Sequence, residues 1–329
     1  MPKRKKKPLK QTRKTGAVYA LPFSKLRKTD VEIAGGKGAS LGEMTNARLA
    51  VPPGFVVLSS AFDRFIEETD INVEIDKWFH KVNHKDVASV DRASHEIRDA
   101  IRRAKFPADL GKIFLSSFKT LGAKHVAVRS SATAEDSSVA SWAGELESYL
   151  FVTKQNLLEM IKTCWSSLYT PRAIFYRFEQ KLHKKRVSVA VVVQKMVNSE
   201  VAGVVFTAHP VSKDRNQMVI EAGWGQGESI VSGTITPDSY VFDKVTGAIL
   251  DINVSTQGEM IIQKGASGSK TVTVPKAKQT KQKITGKQII ELADICQNIE
   301  KHYKSPQDIE WALEKGKFYI VQSRPITTL

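Results

Sequence analysis

Val126-Ala-Val-Arg-Ser-Ser-Ala-Thr-Ala-Glu-Asp136, followed by Ala143-Gly144, is the stretch on which the reading of this chain turns. A short apolar strand from Val126 to Val128 runs straight into Arg129 and then into small hydroxyl residues. That order suits an anion. The strand fixes the root of the arginine, and a guanidinium can fork onto two phosphate oxygens. Ser130, Ser131 and Thr133 add hydroxyl donors, and small side chains let backbone N–H groups come close. On composition alone, a polar surface loop after an edge strand reads equally well.

Three other segments bear on the choice. Asp308-Ile-Glu-Trp-Ala-Leu313, a turn at Lys315-Gly316, and Phe318-Tyr-Ile-Val-Gln-Ser-Arg324 read as a β-hairpin by alternation and turn chemistry. Asp308 and Glu310 then share one face, as do Gln322 and Arg324 on the partner strand. A carboxylate beside an amide oxygen suits Mg²⁺, and an arginine suits the phosphates a metal bridges. A cross-strand salt bridge from Arg324 to Glu310 or Asp308 competes with that reading. Gly35-Gly-Lys-Gly38 lacks the spacing of a phosphate loop, yet Lys37 at the start of a helix over 39–47 can hold phosphate beside the helix's own N–H groups. Gly223-Trp-Gly-Gln-Gly227 fails the dinucleotide spacing; Glu228 beside it is a candidate carboxylate near metal or nucleotide.

The 329 residues suffice for about two domains or one large two-lobed domain. The net charge is +16, and eight cations between Lys3 and Lys14 carry half of it, with no acid before Asp30. Residues 1–16 read as a disordered basic tail, either a plain solvated leader or a tether to nucleic acid or another acidic surface. Cys164 and Cys296 have no CxxC or Cys/His partner and read as buried thiols of a reducing, cytoplasmic setting. No apolar run reaches the roughly 18 residues of a membrane span, and no apolar segment follows the basic start. The seven histidines show no metal-like spacing.

Amphipathic helices are expected over 61–68, 73–82, 90–104 and 110–121, over 157–178 with a break at Pro171, and over 285–302. Strands are expected at 18–21, 51–57, 187–196, 203–207, 218–222, 239–243 and 249–254. Residues 263–283 read as polar loop. Helices and strands are mixed without regular alternation.

Read in order, Gly35-Gly-Lys-Gly-Ala-Ser-Leu-Gly-Glu-Met44, Val51-Pro-Pro-Gly-Phe55, Val128 to Asp136, Gln194-Lys-Met-Val197, Gly203-Val-Val-Phe-Thr-Ala208, Trp224-Gly-Gln-Gly-Glu228, Val231-Ser-Gly233, Gln307-Asp-Ile-Glu310 and Gln322-Ser-Arg-Pro325 resemble one family. It is the nucleotide-binding domain of phosphoenolpyruvate synthase (pyruvate, water dikinase), pyruvate phosphate dikinase and rifampicin phosphotransferase, and the likeness runs from about residue 17 to the end. The resemblance implies an α+β, ATP-grasp-like clamp on Mg-ATP, with an N-terminal lobe over 17–193 and a C-terminal lobe over 194–329. It implies that Lys37 and Arg129 hold phosphates, that Ser130, Ser131, Thr133, Gly144 and Ser148 belong to the covering loop, and that Gln194 and Met196 lie on the strand meeting adenine. Glu310 and Gln322 would bind Mg²⁺, Arg324 would stabilise the transferring phosphoryl group, and Glu228 and Asp308 would support the site. Arg172 is a further phosphate candidate. Glu145-Leu146 stands where the family has Gln-Gln or similar, and Ser148 where Thr is common.

Family enzymes pass the phosphoryl group to a histidine on a swivelling domain, and no histidine here sits in such a sequence. The resemblance therefore implies a phosphotransferase module whose histidine comes from a separate chain. Two alternatives stand beside it: an ATP-binding or sensing module without turnover, tethered by its tail, and a small-molecule kinase akin to rifampicin phosphotransferase. No membrane partner is expected.

Overall fold

A computed structural model describes residues 17–133, 147–183, 187–327 and 329. The basic tail, Glu135, Asp136 and Gly144 lie outside these residues. After β1 (Ala20–Pro22) comes α1 (Val31–Asn46), which breaks at Gly35 (φ 67°, ψ 167°). The helix therefore restarts within the Gly-Gly-Lys-Gly run, with Lys37 in its opening turn. β2 (Gly54–Val57) leads into α2 (Ser59–Glu68), α3 (Ile71–Lys81), α4 (Val87–Arg103) and α5 (Ala108–Leu121). Then follow β3 (Val126–Ala132), β4 (Ser148–Val152), α6 (Leu157–Ser166) and α7 (Pro171–Glu179). Pro171 opens α7 and Thr170 caps it, which explains the interruption. β5 (Val189–Lys195) is buried on both faces up to its last residue.

The second half holds β6 (Val201–Phe206), β7 (Gln217–Trp224), α8 (Glu228–Val231), β8 (Asp238–Asp243) and β9 (Ile249–Asn253). β10 (Glu259–Gln263), β11 (Ser269–Thr273) and α9 (Lys276–Gln279) come next. α10 (Gly286–Tyr303) starts with a capping box from Thr285 and Gln288, and β12 (Gln307–Glu314) and β13 (Lys317–Pro325) close the chain.

Among the described residues two large antiparallel sheets result, in orders β1-β2-β5-β3-β4 and β13-β12-β6-β7-β8-β9, with β10 and β11 paired separately. Helices α2 to α7 cover one face of the first sheet, where Phe65, Phe114, Trp165, Val128 and Val191 form a core. On its other face, α1 joins Val56 and Val192 to one face of the second sheet, with Ile220, Tyr240, Trp311 and Leu292 of α10. One apolar core thus crosses the expected border at 193/194, and β5 lies wholly in the first sheet.

Some expectations are corrected. Residues 263–283 are not a polar loop: they hold the end of β10, β11 and α9, and Lys283 is buried against Asp238 at 2.7 Å. The first strand starts two residues later than expected, at Ala20, and runs one residue further, to Pro22, before a single 3-10 turn at Phe23. Strand β4 was not anticipated. Both cysteines are free and buried.

Candidate functional site

Strand parity decides what faces what. In β3, Val126, Val128, Ser130 and Ala132 turn to the helical layer, so Ala127, Arg129 and Ser131 turn to α1 and the second sheet. Arg129, only 9% exposed, crosses to the β12–β13 hairpin. Its Nη2 donates to Glu310 Oε2 at 2.8 Å and to Gln322 Oε1 at 2.5 Å, and its Nη1 donates to the Val321 carbonyl at 3.1 Å.

The hairpin pairs Glu310 with Gln322 and Asp308 with Arg324, so the expected convergence of these four side chains on one face holds. The register slips between Glu310 and Trp311, which leaves Val321 as an extra residue in β13. Arg324 grips the Asp308 carboxylate through Nε at 2.8 Å and Nη2 at 2.7 Å. The cross-strand salt bridge thus forms within the cluster of these four side chains. Burial, opposed by Arg324, holds the Asp308 carboxyl above its ordinary range.

Glu221 was missed in the sequence. It lies on β7 in the same cross-strand row as Val204, Glu310 and Gln322, and burial followed by the charge of Asp308 raises its carboxyl. Its signal was a lone acid inside the apolar run Met218-Val-Ile-Glu-Ala222.

Opposite this face, Ser131 binds the broken start of α1. Its hydroxyl donates to the Ala34 carbonyl at 3.0 Å and accepts from the Gly38 N–H at 3.3 Å. A Cβ on Gly35 would lie 2.2 Å from Ser131 Oγ, so only glycine fits that approach. Lys37 is thereby brought near β3, and its positive charge reaches the buried Cys164 thiol behind that strand, whose pKa burial drives up.

The other expected residues divide. The Ser130 hydroxyl donates to the Glu147 carbonyl at 3.0 Å and the Thr133 hydroxyl to the Ser188 carbonyl at 2.9 Å. With Ser131 committed to α1, all three hydroxyls donate to backbone carbonyls of neighbouring segments. Ser148 is exposed and stands opposite Arg129 in the sheet. Gln194 is buried and its amide donates to the Pro52 carbonyl at 3.4 Å. Met196, half-buried, begins the connection to β6. Glu228 is exposed in the first turn of α8, and Arg172 is exposed in the first turn of α7. Near the acids, Val197, Ala202 and Ala312 form a small apolar cluster with Tyr319 and Val321.

Among the described residues no group of three His, Cys, Asp or Glu side chains forms a metal cage. Glu310 and Gln322 nonetheless fit Mg²⁺, which takes one or two carboxylates and completes its shell with phosphate oxygens and water. Both offer hard oxygens side by side, held by one guanidinium.

Residues 31–329 match the family described as pyruvate phosphate dikinase, AMP/ATP-binding domain. The chain belongs to that family. Its AMP/ATP-binding domain is 45% identical over 314 residues to a probable phosphoenolpyruvate synthase of Methanocaldococcus jannaschii, covering 93% of this chain and 26% of the relative. A probable phosphoenolpyruvate synthase of Archaeoglobus fulgidus is 44% identical over 308 residues, 92% of this chain and 41% of the relative. A rifampicin phosphotransferase of Bacillus subtilis is 38% identical over 314 residues, 94% of this chain and 36% of the relative. The domain thus spans less than half of each of these proteins. No helix among the described residues is long and apolar enough to cross a membrane.

Proposed function

We propose that this domain is an ATP-grasp-like clamp that binds Mg-ATP and passes a pyrophosphoryl or phosphoryl group to a histidine on a separate swivelling-domain partner. The observation that carries the reading is the single guanidinium of Arg129, which joins the phosphate-type strand β3 to Glu310 and Gln322 on the hairpin. Family membership, and relatives named phosphoenolpyruvate synthase and rifampicin phosphotransferase, support it.

Lys37 and Arg129 hold the phosphate chain, and Arg324, aimed by Asp308, meets the transferring group. Glu310 and Gln322 would hold Mg²⁺, which when bound would neutralise phosphate charge. The apolar cluster around Val197 and Ala202 takes the base. Gly144, Ser148 and Glu228 border the phosphates and, with Gln194 and Met196, complete the outline of the site. In the transfer, a histidine nitrogen bonds to the β-phosphorus. The bond from that phosphorus to the bridging oxygen breaks, and AMP leaves with the electron pair. The fixed cations stabilise charge on the leaving oxygen without reorganising.

The test mixes the domain with a swivelling-domain protein and ATP radiolabelled in its β-phosphate, with Mg²⁺. AMP and label on the partner's histidine are expected. ATP bound without AMP or label would leave a binding module and overturn the transfer.

A further inference from the structure

The β10–β11 hairpin belongs to neither large sheet. Its base is fixed to the loop that ends β7. The Gln226 N–H donates to the Ile261 carbonyl at 2.9 Å. A Cβ on Gly225 (φ +86°) would lie 2.5 Å from that same oxygen, so the close approach requires glycine. The Gln226 side chain also donates to the Val197 carbonyl at 3.3 Å, which ties this loop to the connection between the sheets.

The hairpin tip crosses to the edge of the first sheet. The Gly268 N–H donates to the Phe151 carbonyl at 3.2 Å. The Nε2 of His125 lies 2.9 Å from the Ala266 carbonyl. In the tautomer protonated at Nε2 that nitrogen donates to the carbonyl, and the Gln263 side-chain amide lies 3.3 Å from the same nitrogen. Phe151 is buried and left-handed (φ 54°), a conformation rare for a bulky side chain, at the very residue whose carbonyl receives the hairpin. The carbonyl of His125 in turn accepts from the Met196 N–H at 3.0 Å.

The hairpin therefore runs from the loop that holds Val197 to the residue that holds Met196. Those two residues border the apolar cluster assigned above to the base. We propose that the hairpin is a strap over the base end of the nucleotide cleft, and that His125 is the positioning residue that fastens its tip. The inference rests on the nucleotide reading above. A tip held by a few hydrogen bonds opens locally at small cost, which admits a purine base and then encloses it. The phosphates, at the Arg129 end, do not feel it.

The test compares wild type, His125→Ala and His125→Gln in calorimetric binding of Mg-ATP and of tripolyphosphate, which has no base. Loss of one hydrogen bond predicts about fivefold weaker ATP binding in His125→Ala. Tripolyphosphate affinity should be unchanged, and the amide of His125→Gln should restore most of the loss. In hydrogen exchange, His125→Ala should lose protection across 259–273 and keep it across Val126–Ala132, which separates release of the strap from unfolding. Unchanged ATP affinity, equal losses for both ligands, no rescue by glutamine, or a strap still protected in His125→Ala would each overturn the proposal. Wild type that binds no ATP would instead bring down the nucleotide reading, and the strap's role with it.

Discussion

Replacing Arg129 by Met keeps the length of the side chain and removes every donor. Three acceptors lose their partner: the Glu310 carboxylate, the Gln322 amide oxygen and the Val321 carbonyl. The Arg129 and Glu310 side chains are 10% and 22% exposed, so water replaces little of what is lost. Breaking a fully buried pair costs about 3–5 kcal/mol. Partial access at Glu310 lowers the expectation to about 2–3 kcal/mol, a large share of the roughly 5–15 kcal/mol that holds a domain together. Urea denaturation of Arg129→Met, Glu310→Gln and the double variant gives the coupling directly. With the charge of Glu310 also removed, no anion is stranded, so the double variant should be less destabilised than the sum of the singles by about 1–2 kcal/mol. Calorimetry on the same proteins should find Mg-ATP binding at least tenfold weaker in Arg129→Met, the effect of losing one charge-assisted contact. Additive singles, with coupling below about 0.3 kcal/mol, would refute the claim that this guanidinium joins the two sheets. Unaltered ATP affinity would refute its place on the phosphates.

Gly35→Ala should destabilise the domain by more than about 2 kcal/mol, because a Cβ would sit 2.4 Å from the Ser131 carbonyl at φ +67°; a melting temperature equal to wild type would contradict this. Lys283→Met strands the fully buried Asp238 carboxylate and should cost about 3 kcal/mol in urea denaturation, whereas a loss below about 1 kcal/mol would show the pair to be dispensable. Two carboxylates should respond to pH with opposite signs. Burial works to raise Glu43, but donation from the Lys28 N–H and from His302 outweighs it and depresses the carboxyl. Its contribution is present above the ordinary carboxylate pKa and is lost as pH falls through the folded value, so Glu43→Gln should be less stable than wild type at neutral pH and equal to it in acid. Glu221 is raised, so wild type gains stability as pH falls through its folded pKa. Glu221→Gln should then be the more stable protein at neutral pH, with the gap closing on acidification. Thermal melts across pH check both, and gaps of the same sign would defeat the argument.

The closing hairpin was legible from its alternation and the Lys315-Gly316 turn, but the bulge at Val321, which brings Gln322 opposite Glu310 and Arg324 opposite Asp308, was not. The helices were legible from their apolar spacing, and the start of α10 from its cap. Periodicity does not say which partner covers which face. Ser130 and Ser131 look alike in sequence, yet one meets Glu147 and the other meets α1. Strand β4 is short and interrupted by the left-handed Phe151, which hides its alternation. Glu259-Met-Ile-Ile-Gln263 is apolar enough for a strand, but polar neighbours and an exposed tip disguised its hairpin. Lys283 closes a run of lysines that composition assigns to solvent, and only the fold supplies Asp238.

The extra residue in β13 makes the site a matter of counting. Paired straight on from the turn with no residue set aside, β13 would bring Val321 opposite Glu310, Gln322 opposite Ile309 and Ser323 opposite Asp308. Gln322 and Arg324 would then lie on the side filled by Ile309 and Trp311. Setting Val321 aside is what restores the phase. Deleting Val321 should therefore leave Glu310 opposite Gln322 and Asp308 opposite Arg324 in an unbroken ladder. Deleting Ser323 instead would bring Arg324 opposite Ile309 and take it away from Asp308. Composition, charge and hydropathy would barely register either change, and only the second would break the cluster.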